Sequence, residues 1–290
     1  MKLALIGVGM IGGSAALAWR AAAAVTQVTG FDLDADALAR AKAMKVIDTA
    51  APSVAAAVTG ADLILLAVPV GATAAVLAQI ADLPPHSVVT DVGSTKADVI
   101  AAAQARSAAG GFLFRRFVPA HPIAGRERPG IDAADAELFR NRFVITTPSG
   151  DTDPGALAIV ERLWLSCGAR VERMDALEHD RIFAAVSHLP HLLAFTLVAR
   201  IASEPDGERK LGFAGGGFRD FTRIAAGSPV MWRDIALANR SALAEELRGY
   251  RTALDALQVA LDAGDATALQ AVFELASRTR RRFAGVFDAE

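Results

Sequence analysis

An apolar run, Lys2–Ile6, leads directly into Gly7-Val8-Gly9-Met10-Ile11-Gly12 and then into a helical pattern over Ile11–Trp19. No other feature of the chain restricts its possible folds so strongly. An apolar run without period-two alternation is expected of a strand covered on both faces. A glycine turn between such a strand and a helix suits the binding of a dinucleotide. Gly7 permits the tight turn, Gly9 lets the backbone approach a pyrophosphate, and Gly12 lets helix and strand pack closely. The helix N-terminus then favours the phosphate charge. Asp32 follows about twenty residues on, at the end of a second strand, Val25–Phe31. Its carboxylate could bind both ribose hydroxyls and repel a 2′-phosphate, so NAD is expected over NADP. The plainer alternative is a tight turn with no ligand, with Asp32 capping the next helix.

Strand and helix continue to alternate. A helix is expected over Ala35–Met44, and strands over Asp62–Val68, Ser87–Val92, Phe117–Ala120, Phe143–Thr146 and Arg170–Arg173. This alternation implies an α/β fold with a parallel, doubly wound sheet. After about Met174 helical periodicity takes over. Asp175–Ile201 reads as one long helix bent at Pro190, because proline removes a backbone donor. Ser203–Gly217 reads as a polar loop, Ser228-Pro229 as a helix start, and Trp232–Leu261 and Asp265–Phe283 as helices. The expected division is a Rossmann-type domain over residues 1–173 and an all-α domain over residues 174–290.

Composition excludes several classes. Thirty basic residues against thirty-two acidic ones give no general attraction to nucleic acid or anionic lipid. Leu63–Ala81 is uncharged and close to the length of a membrane span, but it contains Pro69 and Gly71 and much alanine. It reads as a buried strand, a turn and an apolar helix. The first strand starts at Lys2, so no leader peptide is expected before it. Cys167 is the only cysteine, which suits a reducing, cytoplasmic setting.

Five histidines are available for chemistry: His86, His121, His179, His188 and His191. His86 follows two prolines in a turn, and His179 sits among charges on an expected outer helix face. Both read as solvated. His121 follows the strand Phe117–Ala120, and in an open α/β sheet ligands bind beyond the carboxyl ends of strands. It could meet the nicotinamide end of a cofactor or simply cap a loop. His188 and His191 lie three apart in Ser187-His188-Leu189-Pro190-His191 and could share a helix face. No third ligand at metal spacing accompanies them, and a pair of satisfied core histidines is the bland alternative. Ser94, in Asp91-Val92-Gly93-Ser94-Thr95-Lys96, lies at a strand end near the cofactor. Lys96 reads as a helix start. Val68, ending its own strand, joins the glycine turn, Asp32 and Ser94 as a cofactor-side residue. Arg223 follows a glycine-rich stretch and could clamp a carboxylate, or be a surface arginine.

Taken together, these segments resemble the prephenate dehydrogenase family, which includes arogenate and cyclohexadienyl dehydrogenases. The resemblance rests on the glycine turn Gly7–Ser14, Asp91–Lys96, His121–Gly125 with Glu127, Ser187–His191 and Phe218–Ala225, followed by Pro229, Trp232 and Asp234. It runs the length of the chain in the expected order. It implies oxidative decarboxylation of prephenate to 4-hydroxyphenylpyruvate, of arogenate to tyrosine, or of both, with NAD and no metal. By resemblance, His121 draws off the 4-hydroxyl proton and Ser94 orients nicotinamide, substrate and histidine. His191 and Arg223 hold carboxylates, Glu127 pairs with the arginine and gates the pocket, and His188 and Trp232 line the substrate side. Arg126 departs from the small or neutral residue common at its position. A homodimer through the helical domain is implied, and the length leaves no room for fused chorismate mutase or regulatory domains. Tyrosine feedback, if present, would then act at the active site itself.

Two competing readings are weaker. A β-hydroxyacid dehydrogenase or imine reductase shares the architecture, but the hydroxyacid enzymes place a lysine on the long helix, and none lies between Asp175 and Ala202. A non-catalytic NAD-sensing protein would need the glycine turn but not His121, Ser94, His191 and Arg223 together.

Overall fold

The structure is a computed structural model and describes residues 1–80, 83–108, 114–125 and 128–287. Six parallel strands form the main sheet: β1 (Lys2–Ile6), β2 (Gln27–Phe31), β3 (Thr49–Ala50), β4 (Leu63–Leu66), β5 (Val88–Asp91) and β6 (Phe117–Val118). Their order is β3-β2-β1-β4-β5-β6, the doubly wound order whose direction reverses between β1 and β4. Helices α1 (Met10–Ala21), α2 (Ala35–Ala43), α3 (Val54–Val58), α4 (Thr73–Gln79) and α5 (Ala97–Ala108) connect them.

The sheet is buried on both sides, which explains the unbroken apolar runs. Leu3, Leu5, Leu63 and Leu65 face one core with Trp19, Phe139 and Trp164. Ala4, Ile6, Ile64 and Leu66 face another with Val54, Leu77 and Phe117. Trp164, on α6 (Pro154–Ser166), meets Trp19 and Phe139 edge to face, at centroid distances of 4.9 and 5.1 Å. The Leu63–Ala81 run resolves over its described part into β4, a 3-10 turn at Val70–Ala72 and α4.

Four sequence expectations need correction. The strand expected over Phe117–Ala120 divides at Pro119, which has no N–H to continue the ladder. Beyond it, β7 (Ala120–Pro122) joins β8 (Phe143–Thr146) and β9 (Arg170–Arg173) in a second, mixed sheet. Here β7 and β8 are antiparallel, and β8 and β9 parallel. The long helix is three pieces: α7 (Ala176–Phe183), a π turn (Ala184–His188) and α8 (Leu189–Ala202). Pro190 lies in the first turn of α8, where a missing donor costs least, and the irregularity sits one turn before it. The loop expected over Ser203–Gly217 contains α9 (Gly207–Gly212), and α10 (Gly216–Thr222) begins inside it. The helix expected over Trp232–Leu261 breaks at Asn239 into α11 (Pro229–Ala238) and α12 (Arg240–Asp262).

By contacts the chain divides into two units, Met1–Arg240 and Ser241–Glu290. Helices α7 to α11 therefore belong with the sheets, although the periodicity changes near residue 173. In the second unit Gly264, at φ +63°, turns the chain from α12 into α13 (Ala266–Arg282), which Asp265 caps through Ala268 N. Leu254, Val259, Val272, Phe273 and Leu275 are exposed on these two helices.

Candidate active site

The glycine turn is shaped by close contacts. Gly7 has φ +94°, and a Cβ there would stand 2.4 Å from the Ala67 carbonyl oxygen. A Cβ at Gly12 would stand 2.7 Å from the Ala67 side chain. Gly9 caps α1 with no side-chain bond, and a Cβ there would meet nothing within 4 Å. The N-terminus of α1 thus opens onto space that a side chain would fill, which is the cradle a pyrophosphate needs. Val8 is buried in the core and contributes its backbone, while Met10, Ile11 and Val68 are half-buried around the turn.

Asp32 accepts from Val8 N at 2.7 Å and from Asp34 N at 2.9 Å. It does not cap α2; Asp34 does, through Asp36 N and Ala37 N. A carboxylate has about four lone-pair sites, so Asp32 can hold the turn and still accept from ribose hydroxyls. These residues fit a bound NAD.

A second cluster lies where the two sheets part. His121 is in β7, opposite Ile145. Its Nδ1 lies 2.9 Å from His179 Nε2, and His179 Nδ1 lies 2.8 Å from Asp180 Oδ1. Asp180 also accepts from Lys96 N at 2.8 Å and Ala97 N at 2.9 Å, where α5 begins. Phe183 packs against both imidazoles, at centroid distances of 4.9 and 4.5 Å. Burial, with the neighbouring His179 and Lys96, holds His121 well below the usual imidazole range. Burial works to raise Asp180, but bonds from His179 and from the Ala97 and Lys96 N–H groups outweigh it and keep its carboxyl low. Ser94 is half-buried in the turn between β5 and α5.

Two residues of this cluster contradict the sequence reading. His179 is fully buried rather than on an outer face, and Lys96 has no exposed surface rather than simply opening a helix. The sequence signal for the burial of His179 is spacing. His179 and Asp180 share their helix face with Phe183 and Ala184, so the apolar stripe runs across the charges. His86 is largely exposed beside Asp62, as expected.

The remaining histidines extend the cluster. Asn239 Nδ2 lies 2.7 Å from the Asp180 carbonyl and 3.0 Å from His188 Nδ1. His191 Nδ1 donates to Ser187 O at 2.9 Å, and its ring stacks on Trp232 at 3.6 Å and 22°. The π turn leaves His188 buried and His191 half-buried. Helix α11, which carries Trp232, approaches the turn after β4 closely enough that a Cβ on Gly71 would strike Asp234 at 2.6 Å. Arg223 is exposed at the start of a 3-10 turn, Arg223–Ala226, that packs on α8. Glu127 and Arg126 lie outside the described residues.

Sheet order, glycine turn and buried imidazoles together define a nucleotide-dependent dehydrogenase with an appended helical part. Comparison with known proteins narrows the class. The chain belongs to the prephenate dehydrogenase family: residues 15–173 match its nucleotide-binding domain and residues 175–275 its dimerization domain. It is 36% identical over 281 residues to the cyclohexadienyl dehydrogenase of Zymomonas mobilis, covering 96% of this chain and 94% of that one. It is 35% identical to the prephenate dehydrogenase of Bacillus subtilis, covering 95% and 74%. Among solved structures, Aquifex aeolicus prephenate dehydrogenase in complex with hydroxyphenyl propionate and NAD+ superposes with a TM-score of 0.90 at 31% identity, over 98% of each chain. A 3-hydroxyisobutyrate dehydrogenase from Salmonella typhimurium reaches a TM-score of 0.55 at 17% identity over 91% of this chain and 95% of that one, a likeness of fold alone.

Proposed function

We propose that this chain catalyses the NAD-dependent oxidative decarboxylation of prephenate to 4-hydroxyphenylpyruvate, of arogenate to tyrosine, or of both. The observation that carries this reading is His121, half-buried and bonded through Nδ1 to His179 in the cluster where the two sheets part. NAD, when bound, supplies the two-electron acceptor for the ring carbon that bears the 4-hydroxyl. His121 is neutral near pH 7 because its site depresses its basicity, so it can take the hydroxyl proton on Nε2. A positioned base of this kind is worth about 10²–10⁴-fold. Aromatisation of the ring drives loss of its carboxylate.

The glycine turn, Asp32, Val68 and Ser94 form the cofactor side of this reading. The bonding of Asp32 at the ribose position favours NAD over NADP. His188, His191, Arg223 and Trp232 form the substrate side, with Arg223 offering a planar fork for a carboxylate. Glu127 keeps the gating role that the family resemblance gives it. We assign cofactor binding to residues 1–173, and substrate binding and homodimer contact to residues 174–290. The exposed apolar residues of α12 and α13 support an association of this kind. A cytoplasmic location agrees with a lone thiol, Cys167, that burial pushes up to about 11. The test is NADH formation with prephenate and with arogenate in turn. Lack of turnover of both, with NAD or NADP, refutes the reading.

A further inference from the structure

Ser94 and His121 follow the ends of different strands, and strand pairing stops before it reaches either. β5 pairs with β6 as far as Val89↔Phe117 and Thr90↔Val118. The next residue of the second strand is Pro119, which has no N–H to continue the ladder. Among the described residues no main-chain bond joins the turn after β5 to β7.

Asp91, the last residue of β5, carries the register past this point with its side chain. Its Oδ1 accepts from Ala120 N at 3.0 Å, one residue before His121. Its Oδ2 accepts from Gly93 N at 2.9 Å, one residue before Ser94. Lys96 Nζ, with no exposed surface, donates to the same Oδ2 and to the Ala120 carbonyl at 2.8 Å. At the far end of the turn Asp180 accepts from Lys96 N and Ala97 N. Gly93 is the tightest point. A Cβ there would stand 2.9 Å from Asp91 Oδ2 and 3.7 Å from Lys96 Nζ. Asp91 is 3% exposed and bonded through both oxygens, so its carboxylate has no room to move aside.

We propose that Asp91 is a positioning residue: it sets the distance between the Ser94 turn and His121, and Lys96 balances its charge and fixes its orientation. The catalytic part of this inference rests on the proposed function. There Ser94 belongs to the cofactor side and His121 meets the substrate, and a hydride passes between the two sides. A misplacement of about 1 Å costs about 100-fold in rate. A buried carboxylate thus does for these two residues what the ladder does for the strands behind them.

The test uses the whole protein and the double variant Asp91→Asn/Lys96→Met. The variant strands no charge, and uncharged groups in place of a buried ion pair are often neutral for stability. Its one amide oxygen can accept from Gly93 N or from Ala120 N, but not from both. Without ligand, amide hydrogen exchange should show both N–H groups protected in the parent and one of them exposed in the variant. Equal protection in the two proteins overturns the tether, whatever the substrate. The denaturant midpoint lost in Lys96→Met alone should return, and NAD should bind as in the parent. The kcat should stay about 100-fold low with KM little changed. A kcat that recovers with the midpoint shows a pair that serves stability alone, and overturns the positioning role. If the midpoint does not return, Gly93→Ala decides, because it leaves every charge in place and pushes the turn off the carboxylate. A kcat about tenfold lower with NAD bound as before supports the role, and an unchanged kcat overturns it. If the parent enzyme turns over neither substrate, the proposed function fails and the exchange measurement still decides the tether.

Discussion

Lys96 and Asp91 hold the residue before His121 from both sides. Lys96 Nζ donates to Asp91 at 2.5 Å and to the Ala120 carbonyl at 2.8 Å, and Asp91 accepts from Ala120 N at 3.0 Å. The pair thus bridges the point where the chain leaves the first sheet for the second. Removing one partner strands a buried charge, which costs about 3–5 kcal/mol. Lys96→Met should lower stability by that amount in denaturant unfolding and reduce kcat, because His121 loses its anchor. Unfolding at the same denaturant concentration as the parent protein would contradict this.

Gly7 and Gly9 are predicted to fail differently. At Gly7 a side chain meets backbone at 2.4 Å in a left-handed conformation, so Gly7→Ala should destabilise the fold itself. At Gly9 there is open space, so Gly9→Ala should leave Tm unchanged and weaken NAD binding by filling the phosphate cradle. Thermal unfolding with and without NAD, beside NAD titration, separates the two. Equal losses of Tm would show that Gly9 is structural.

Substrate affinity should depend on pH through His191. Burial lowers this imidazole, and the bond to Ser187 O only partly offsets it, so the free enzyme holds it neutral at pH 7. Nδ1 already donates to Ser187 O, so a neutral ring has no N–H left for a carboxylate. Only the imidazolium offers Nε2–H, and the stacked face of Trp232 favours that form. A bound carboxylate therefore raises the His191 pKa, and binding takes up a proton. KM should rise with pH above the free-enzyme value, by up to about tenfold per unit while one proton is linked. His191→Asn should flatten that rise. A pH-independent KM in the parent enzyme would rule out this contact.

His188 predicts acid sensitivity of the fold. Burial drives its pKa down to about 4 from an ordinary 6.5, with Asp180 opposing the shift. Below pH 6.5 the unfolded chain binds the proton more readily than the native state does. Stability is therefore full above that pH and falls as pH drops toward about 4, by about 3 kcal/mol in total. Denaturant unfolding across this range should show the loss, and His188→Gln should reduce the slope. Equal slopes in the two proteins would assign the acid loss to other groups.

Local pattern identified β1, β8 and β9 to the residue, together with the glycine turn and Asp32 at the end of β2. These elements rest on nearest-neighbour chemistry: apolar runs, glycine torsions and strand ends. The division at Pro119 was less legible, because it depends on Asp91 capturing Ala120 N from a distant strand. The burial of His179 and Lys96 is hard to see in the sequence for a related reason. Charged and titratable residues are exposed by default, and only partners brought in by the fold, Asp180 with α5 and Asp91 with β7, make their burial favourable. Asn239 carried no local sign that it would break a helix and reach the Asp180 carbonyl.

We propose His121 as the base in an NAD-dependent oxidative decarboxylation. The most direct measurement is the amount of NADH and carbon dioxide released from prephenate, and from arogenate, by the parent enzyme and by His121→Asn. The two products are expected in equal amounts from at least one substrate, with a fall in rate of about 10²–10⁴-fold in His121→Asn and NAD still bound. Release of neither product from either substrate, or a variant as fast as the parent, would contradict it.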